Sequence, residues 1–139
     1  VKALAKDNSW MNEVEGKTIK IIAQLLQYIP QKFEYRIIFM EREMDEIINS
    51  QNTMLSRLKI IKPNNSNEVL KNVYAKQSEN ILKNMANRPN VKLLKVSYNG
   101  LVEKDESVIK SLIHFFENKI SATDILNCID KNLYRERSR

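Results

Sequence analysis

The sequence has very few of the residues that build metal sites, disulfides and glycine-rich loops. Its 139 residues include one cysteine, Cys128, and one histidine, His114. An intrachain disulfide is therefore excluded, and the two residues alone cannot supply a zinc site. We expect no bound metal, and we interpret Cys128 as an inert packing residue and His114 as a structural or surface residue. The two glycines, Gly16 and Gly100, do not lie in a loop that could cradle a phosphate with backbone N–H groups.

Long apolar runs are also missing. The longest ones, such as residues 37–40, have the length of a strand and fall far short of the ~20 residues that span a bilayer. The N-terminal residues lead into a polar segment and do not resemble a signal peptide. Together with the lone cysteine, this favours a cytoplasmic protein without a membrane span. The chain begins at Val1 and not at Met, so we expect that the protein was longer or was processed.

The overall charge is positive. The formal net charge is +6 and the pI is about 9.4, which favours anionic partners such as phosphorylated cofactors, nucleic acid or a membrane surface. The charges are spread along the chain, and only residues 131–139 are locally dense in basic side chains. A hydrophobic fraction of 42% and a charged fraction of 29% are ordinary for a globular protein. The length suits one domain, so we expect residues 1–139 to form a single domain.

Strand and helix patterns alternate along the chain. Runs rich in Ile, Val and aromatic residues predict three strands, and apolar residues at steps of three and four predict helices between and after them. The predicted strands are 17–22, 35–40 and 91–97, and the predicted helices include 44–58, 66–87, 107–117 and a short helix that begins with a capping box at Ser121. Long connections between strands favour parallel pairing. We therefore predict an α/β fold, as a partial three-layer α/β/α arrangement with a parallel sheet of about three strands.

The most informative residues follow the second predicted strand. Arg42 lies just beyond its carboxyl end, and Ser50 lies eight residues later in the following helix. Ligands of parallel sheets bind at the carboxyl ends of strands, where a guanidinium and a hydroxyl can hold a phosphate. The alternative for Arg42 is an ion pair with Glu43, Asp45 or Glu46. The alternative for Ser50 is a hydroxyl that is solvated or bonded to the helix backbone.

Four stretches in order along nearly the whole chain resemble one family. The segment YRIIFMEREMDEIINSQNTML, with an Arg and a Ser eight residues apart, resembles the 3′-phosphate-binding motif of PAPS-dependent sulfotransferases, in a bacterial branch. DNSWMNEVEGKTIKIIAQLLQYIP, VKLLKVSYNGLVEKDESVIKSLIHFF and NLYRERSR are similar to three further parts of that branch. The resemblance implies a P-loop NTPase-like fold, PAPS as sulfate donor and transfer of a sulfuryl group to an acceptor that the sequence does not identify.

The resemblance also implies roles for individual residues. Arg42 and Ser50 would hold the 3′-phosphate of PAPS or of adenosine 3′,5′-bisphosphate, and Tyr98 would lie near the adenine and stack on it. In the C-terminal tail, Arg135 and Arg137 would share one side of an extended segment and close the 3′-phosphate site. A frayed basic terminus is the alternative for the tail.

Three features depart from the family's pattern. The P-loop is missing, the turn that begins at Tyr98 reads Tyr-Asn-Gly-Leu in place of Tyr-Glu-Asp-Leu, and no His follows the first predicted strand where cytosolic members carry their general base. No catalytic residue can therefore be named. We expect these 139 residues by themselves to transfer no sulfate, and to self-associate through a sheet edge that the missing unit would cover.

Other interpretations remain open. The main alternative is a non-catalytic basic α/β module that binds a nucleotide or nucleic acid, although no known nucleic-acid-reading motif appears and we do not expect nucleic acid as a partner. A second alternative is a relative of the sulfotransferases that has lost the nucleotide site and serves as an interaction domain. A P-loop kinase relative is a third, and the Arg–Ser spacing favours the sulfotransferase over it.

Overall fold

A computed structural model of the chain describes residues 9–59 and 67–130, apart from the side chain of Trp10. It is a mixed α/β structure. Two 3₁₀-helices, Ser9–Val14 and Ala23–Tyr28, precede the first strand. The remaining elements, in chain order, are β1 (Tyr35–Glu41), α1 (Met44–Arg57), α2 (Asn67–Ala86), β2 (Val91–Ser97), α3 (Tyr98–Val102), α4 (Glu106–Phe115) and α5 (Ala122–Asn127).

The two strands pair in parallel, as the sequence predicts. Their bounds agree with the predicted strands 35–40 and 91–97 to within one residue. The carboxyl ends of parallel strands lie at the same edge of a sheet. The residues that directly follow β1 and β2, Arg42 and Tyr98, are therefore brought to that common edge.

The predicted strand at residues 17–22 is wrong. This segment forms neither a strand nor a helix, and within the described residues the sheet has two strands and not three. Its last residue, Ile22, is extended, with φ −71° and ψ 142°, and its side chain is 50% exposed. The β-branched composition makes an extended backbone favourable, but a strand also needs a neighbour to pair with, and local propensity cannot supply one.

Polar side chains cap the starts of α4 and α5. Asp105 caps α4 by accepting a hydrogen bond from the Ser107 N–H at 2.7 Å. Ser121 and Asp124 form the predicted capping box at the start of α5, which is confirmed.

The single histidine and the single cysteine are both exposed. His114 lies exposed on α4, in agreement with the interpretation as a surface residue. The interpretation of Cys128 as a packing residue is wrong, because its thiol is exposed at the C-cap of α5, where the helix stops before a further turn could bury it.

The chain divides into two compact units, one within Val1–Ile37 and Tyr74–Leu93 and the other within Ile38–Val73 and Leu94–Arg139. In the first unit, the loop after α2 holds the segment that leads into β1. Arg88 Nη2 donates to the Ile29 carbonyl at 3.0 Å, and the buried Asn90 donates through Nδ2 to the Gln31 and Phe33 carbonyls at 3.0 and 2.6 Å. The second unit contains the candidate site. The single-domain interpretation stays a prediction.

Across residues 9–59 and 67–130, no helix combines the length and the apolar character that crossing a membrane requires.

Candidate functional site

Two of the residues singled out from the sequence meet at the carboxyl-end edge of the sheet. Arg42 lies between β1 and α1, and Tyr98 is the first residue of α3, directly after β2. The Arg42 Cζ lies 5.0 Å from the centroid of the Tyr98 ring, which is within the range of a cation–π contact. The fold therefore brings together a guanidinium and an aromatic ring that are separated by more than fifty residues in the sequence.

The Arg42 guanidinium is held from another direction by Glu46 on α1. Its Nε–H donates to Glu46 Oε2 at 2.7 Å, and the side chains of Arg42 and Glu46 are 24% and 0% exposed. The spacing of four residues is the one that brings side chains together at the start of a helix. The ion pair that stands as the alternative for Arg42 thus forms, with Glu46 as the partner.

Asn99 on α3 completes the surroundings of the carboxylate. Its Nδ2 donates to Glu46 Oε1 at 3.3 Å, so each of the two carboxylate oxygens of Glu46 accepts a hydrogen bond. A fully buried carboxylate is costly unless it is paired and hydrogen-bonded, and this arrangement meets both conditions. Sequence reasoning treated Asn99 only as a departure from a family pattern. It named Glu46 only as one of three acidic neighbours of Arg42.

The short helix α3 owes its position to a close approach at Gly100. Ser97 caps the helix, since its Oγ accepts from the Gly100 N–H at 3.1 Å. A Cβ at Gly100 would lie 3.1 Å from Val108 Cγ2 on α4 and 3.4 Å from Ser97 Cβ. The missing side chain thus lets α3 pack tightly against α4, and this packing fixes where Tyr98 and Asn99 stand.

Ser50 lies on the same helix as Glu46, four residues further on, and is half-buried. Residues four apart share a face of a helix with about 5–6 Å between their Cβ atoms, so Ser50 lies on the same face of α1 as Glu46. Its part in the site stays a prediction. The hydroxyls of Thr53 and Ser56 on α1 bond back to the carbonyls four residues earlier, at 2.9 Å each. The Ser50 hydroxyl makes no such bond to the described part of the chain. The backbone-bonded alternative for this serine is therefore not what the structure shows.

The carboxylates that flank Arg42 along the chain have cations of their own. Glu41 accepts from Lys95 Nζ at 2.9 Å, and Asp45 accepts from Lys71 Nζ at 2.5 Å. These four side chains are between about a third and two thirds exposed, so each pair contributes little to stability. Their electrostatic effect is to compensate two negative charges beside the guanidinium that would otherwise repel an anion.

Two predicted site residues, Arg135 and Arg137, lie outside the described residues, and their role stays a prediction. Within residues 9–59 and 67–130, no group of three or more His, Cys, Asp or Glu side chains could hold a metal ion. The contacts around Arg42 bring together a guanidinium, an aromatic ring and a buried carboxylate.

Comparisons of the chain with protein-family models, with curated proteins and with solved structures each return no significant match.

Proposed function

We propose that this chain binds the adenosine 3′,5′-bisphosphate part of PAPS through Arg42, Ser50 and Tyr98, as part of a sulfotransferase-family protein. In that protein a sulfuryl group passes from PAPS to an acceptor. The three-layer, P-loop NTPase-like architecture belongs to the same proposal, and so does the closure of the site by Arg135 and Arg137.

One observation carries the proposal. Arg42 and Tyr98 stand beside each other, 5.0 Å apart, at the edge where two parallel strands end. This edge is where open α/β sheets bind their ligands. A guanidinium next to an aromatic ring matches a ligand that has a phosphate close to a purine, because one group binds the charge and the other offers a surface to the base.

The chemistry of Arg42 agrees with this use. The bond to Glu46 engages Nε of Arg42. A guanidinium can bond two phosphate oxygens at once, and this geometry suits a phosphate better than a point charge does. The Ser50 hydroxyl adds a neutral donor from α1. One face of the Tyr98 ring carries the guanidinium, so an adenine would contact the opposite face or the ring edge.

Isothermal titration calorimetry with adenosine 3′,5′-bisphosphate and with adenosine 5′-phosphate tests the proposal. We expect the wild-type chain to prefer the bisphosphate, since only that nucleotide carries the 3′ group. Arg42→Lys retains a charge near Glu46 but loses the two-pronged guanidinium. We expect it to weaken bisphosphate binding about tenfold or more, and Ser50→Ala to weaken it about fivefold.

Arg57→Lys is the matched control, because Arg57 is exposed in the last turn of α1. It should leave the affinity unchanged. Equal affinity of the two nucleotides, or equal affinity of Arg42→Lys and wild type, would contradict the proposal. Tighter binding of a short single-stranded oligonucleotide than of the bisphosphate would favour the nucleic-acid module instead.

A further inference from the structure

We infer that Glu46 and Asn99 are positioning residues that hold the Arg42 guanidinium in the orientation in which it receives the nucleotide phosphate. The inference rests on the proposed function, since it assigns to these two residues a part in that same site. Neither residue would touch the nucleotide. Both would act through Arg42.

The burial of Glu46 is the first argument. Its side chain is 0% exposed, and a buried ion pair is weak evidence for stability because the desolvation of both charges opposes their attraction. An apolar side chain of similar volume would hold α1 in place as well. What an apolar side chain cannot do is to bind the Nε edge of a guanidinium at 2.7 Å and so fix the plane of the group.

Glu46 and Tyr98 constrain different degrees of freedom of the Arg42 side chain. Glu46 binds the Nε edge, and the Tyr98 ring lies against the group at 5.0 Å from Cζ. One Nη lies along the same edge of the guanidinium as the Nε–H, the other Nη lies away from that edge, and the Arg42 side chain remains 24% exposed. A long side chain that is already fixed loses less rotational freedom when a ligand binds, which increases affinity without any new contact.

Asn99 places a hydrogen-bond donor against the acceptor carboxylate of Glu46. Its amide is a donor towards Oε1 at 3.3 Å, and a carboxylate in its place would set two like charges at about that separation. Glu46 would then turn away from one of them, and the Nε–H of Arg42 would lose its acceptor. The amide at position 99 thus keeps the carboxylate in the position from which it orients the guanidinium.

The pair can be exchanged almost without change of volume. Glu46→Gln brings two amide donors face to face, and Asn99→Asp brings two carboxylates face to face. In the double variant Glu46→Gln/Asn99→Asp, the Gln amide can donate to the Asp carboxylate while its Oε1 accepts from Arg42. Asn127→Asp, at the exposed end of α5, is the matched control for an added charge.

Two measurements follow these variants. Calorimetry gives the affinity for adenosine 3′,5′-bisphosphate and for adenosine 5′-phosphate, and ¹H–¹⁵N NMR follows the Arg42 Nε–Hε signal, whose exchange with water is slowed by the bond to Glu46. We expect each single variant to weaken bisphosphate binding about tenfold and to speed exchange of the Nε–Hε proton. The double variant should restore both readouts, and adenosine 5′-phosphate binding should change by less than about threefold throughout.

The outcomes distinguish failure of the proposed nucleotide binding from failure of the positioning role of Glu46 and Asn99. If wild type does not bind the bisphosphate, the proposed function fails and this inference fails with it. If wild type binds, Arg42→Lys does not, and Glu46→Gln binds as well as wild type or better, the proposed function stands and the positioning role is wrong. If the double variant folds, as circular dichroism would show, and binds no better than the single variants, the polarity match between residues 46 and 99 is wrong.

Discussion

The substitution Arg42→Met tests whether the buried carboxylate of Glu46 depends on the guanidinium. Methionine keeps much of the apolar stem that packs beside Tyr98 and removes the charge and the Nε–H donor. The Glu46 side chain, 0% exposed, then keeps the hydrogen bond from Asn99 but loses the 2.7 Å bond from Arg42. The substitution therefore removes the cationic partner of a carboxylate that has no access to water, together with the cation–π contact to Tyr98.

Its magnitude follows from the burial of the two partners. Removing one member of a buried ion pair costs about 3–5 kcal/mol, because the remaining charge is left uncompensated. Arg42 is 24% exposed, so water can enter the space that the guanidinium leaves, and we expect a loss near 3 kcal/mol in the free energy of unfolding. A typical domain has a free energy of unfolding of about 5–15 kcal/mol, so the variant should still fold at room temperature.

Urea unfolding followed by circular dichroism measures this loss, and a double-mutant cycle with Glu46→Gln assigns it. In the Arg42→Met background, Glu46→Gln removes the uncompensated charge of Glu46 and should increase the free energy of unfolding. In wild type the same substitution should decrease it. Arg57→Met is the control for loss of an exposed arginine, with an expected effect within about 0.5 kcal/mol. A loss below about 1 kcal/mol for Arg42→Met, or no recovery in the double variant, would refute the reasoning.

Two further predictions concern pH. Burial raises the pKa of Tyr35, and a nearby guanidinium only partly opposes this shift, so the unfolded chain ionises first as the pH rises. The contribution of neutral Tyr35 to the free energy of unfolding is fully present below about pH 10 and is lost as the pH rises above that value. Between pH 9 and 10.5, urea unfolding should show a smaller decline in this free energy for Tyr35→Phe than for wild type. Equal declines would contradict the prediction. Hydrogen bonds from Ser107 and Ser121 lower the pKa values of Asp105 and Asp124, so their stabilising effect is present above about pH 4 and is lost as the pH falls through the lower folded-state values. Asp105→Asn and Asp124→Asn should each reduce the loss of unfolding free energy that acidification below about pH 4 causes. An unchanged loss would show that ionisation of these two caps does not contribute to stability.

The sequence predicted those elements whose signals are local. The strands β1 and β2 and the long helices could be read from apolar periodicity, and the start of α5 from its capping box, because these signals reside in a few neighbouring residues. Residues 17–22 carry an equally good strand composition and form no strand in the structure, since pairing depends on a neighbour far away in the sequence. The exposure of Cys128 was not predicted for a related reason. The apolar residues around it suggested burial, whereas Cys128 lies at the C-cap, where α5 ends.

The candidate site was predictable in part. The position of Arg42 at the end of β1 and that of Tyr98 at the end of β2 predicted two residues at one edge, and parallel pairing brings them there. Which of three acidic neighbours would pair with Arg42 could not be chosen, because all three lie within hydrogen-bonding reach along the chain. Only the fold, by burying Glu46 and bringing Asn99 to its other oxygen, distinguishes it from the rest.

The hydrogen bonds of Arg88 and Asn90 in the first unit have a consequence for the order of folding. Asn90 bonds to carbonyls that lie 57 and 59 residues earlier, and Arg88 bonds to one that lies 59 residues earlier. Closing so long a loop costs chain entropy before any of these bonds can form, whereas α1 and α2, which lie within that loop, need only local contacts. We therefore expect the two helices to gain structure early and the junction between the loop after α2 and the start of β1 to close late, which would make Asn90 a residue whose loss accelerates unfolding more than it slows refolding.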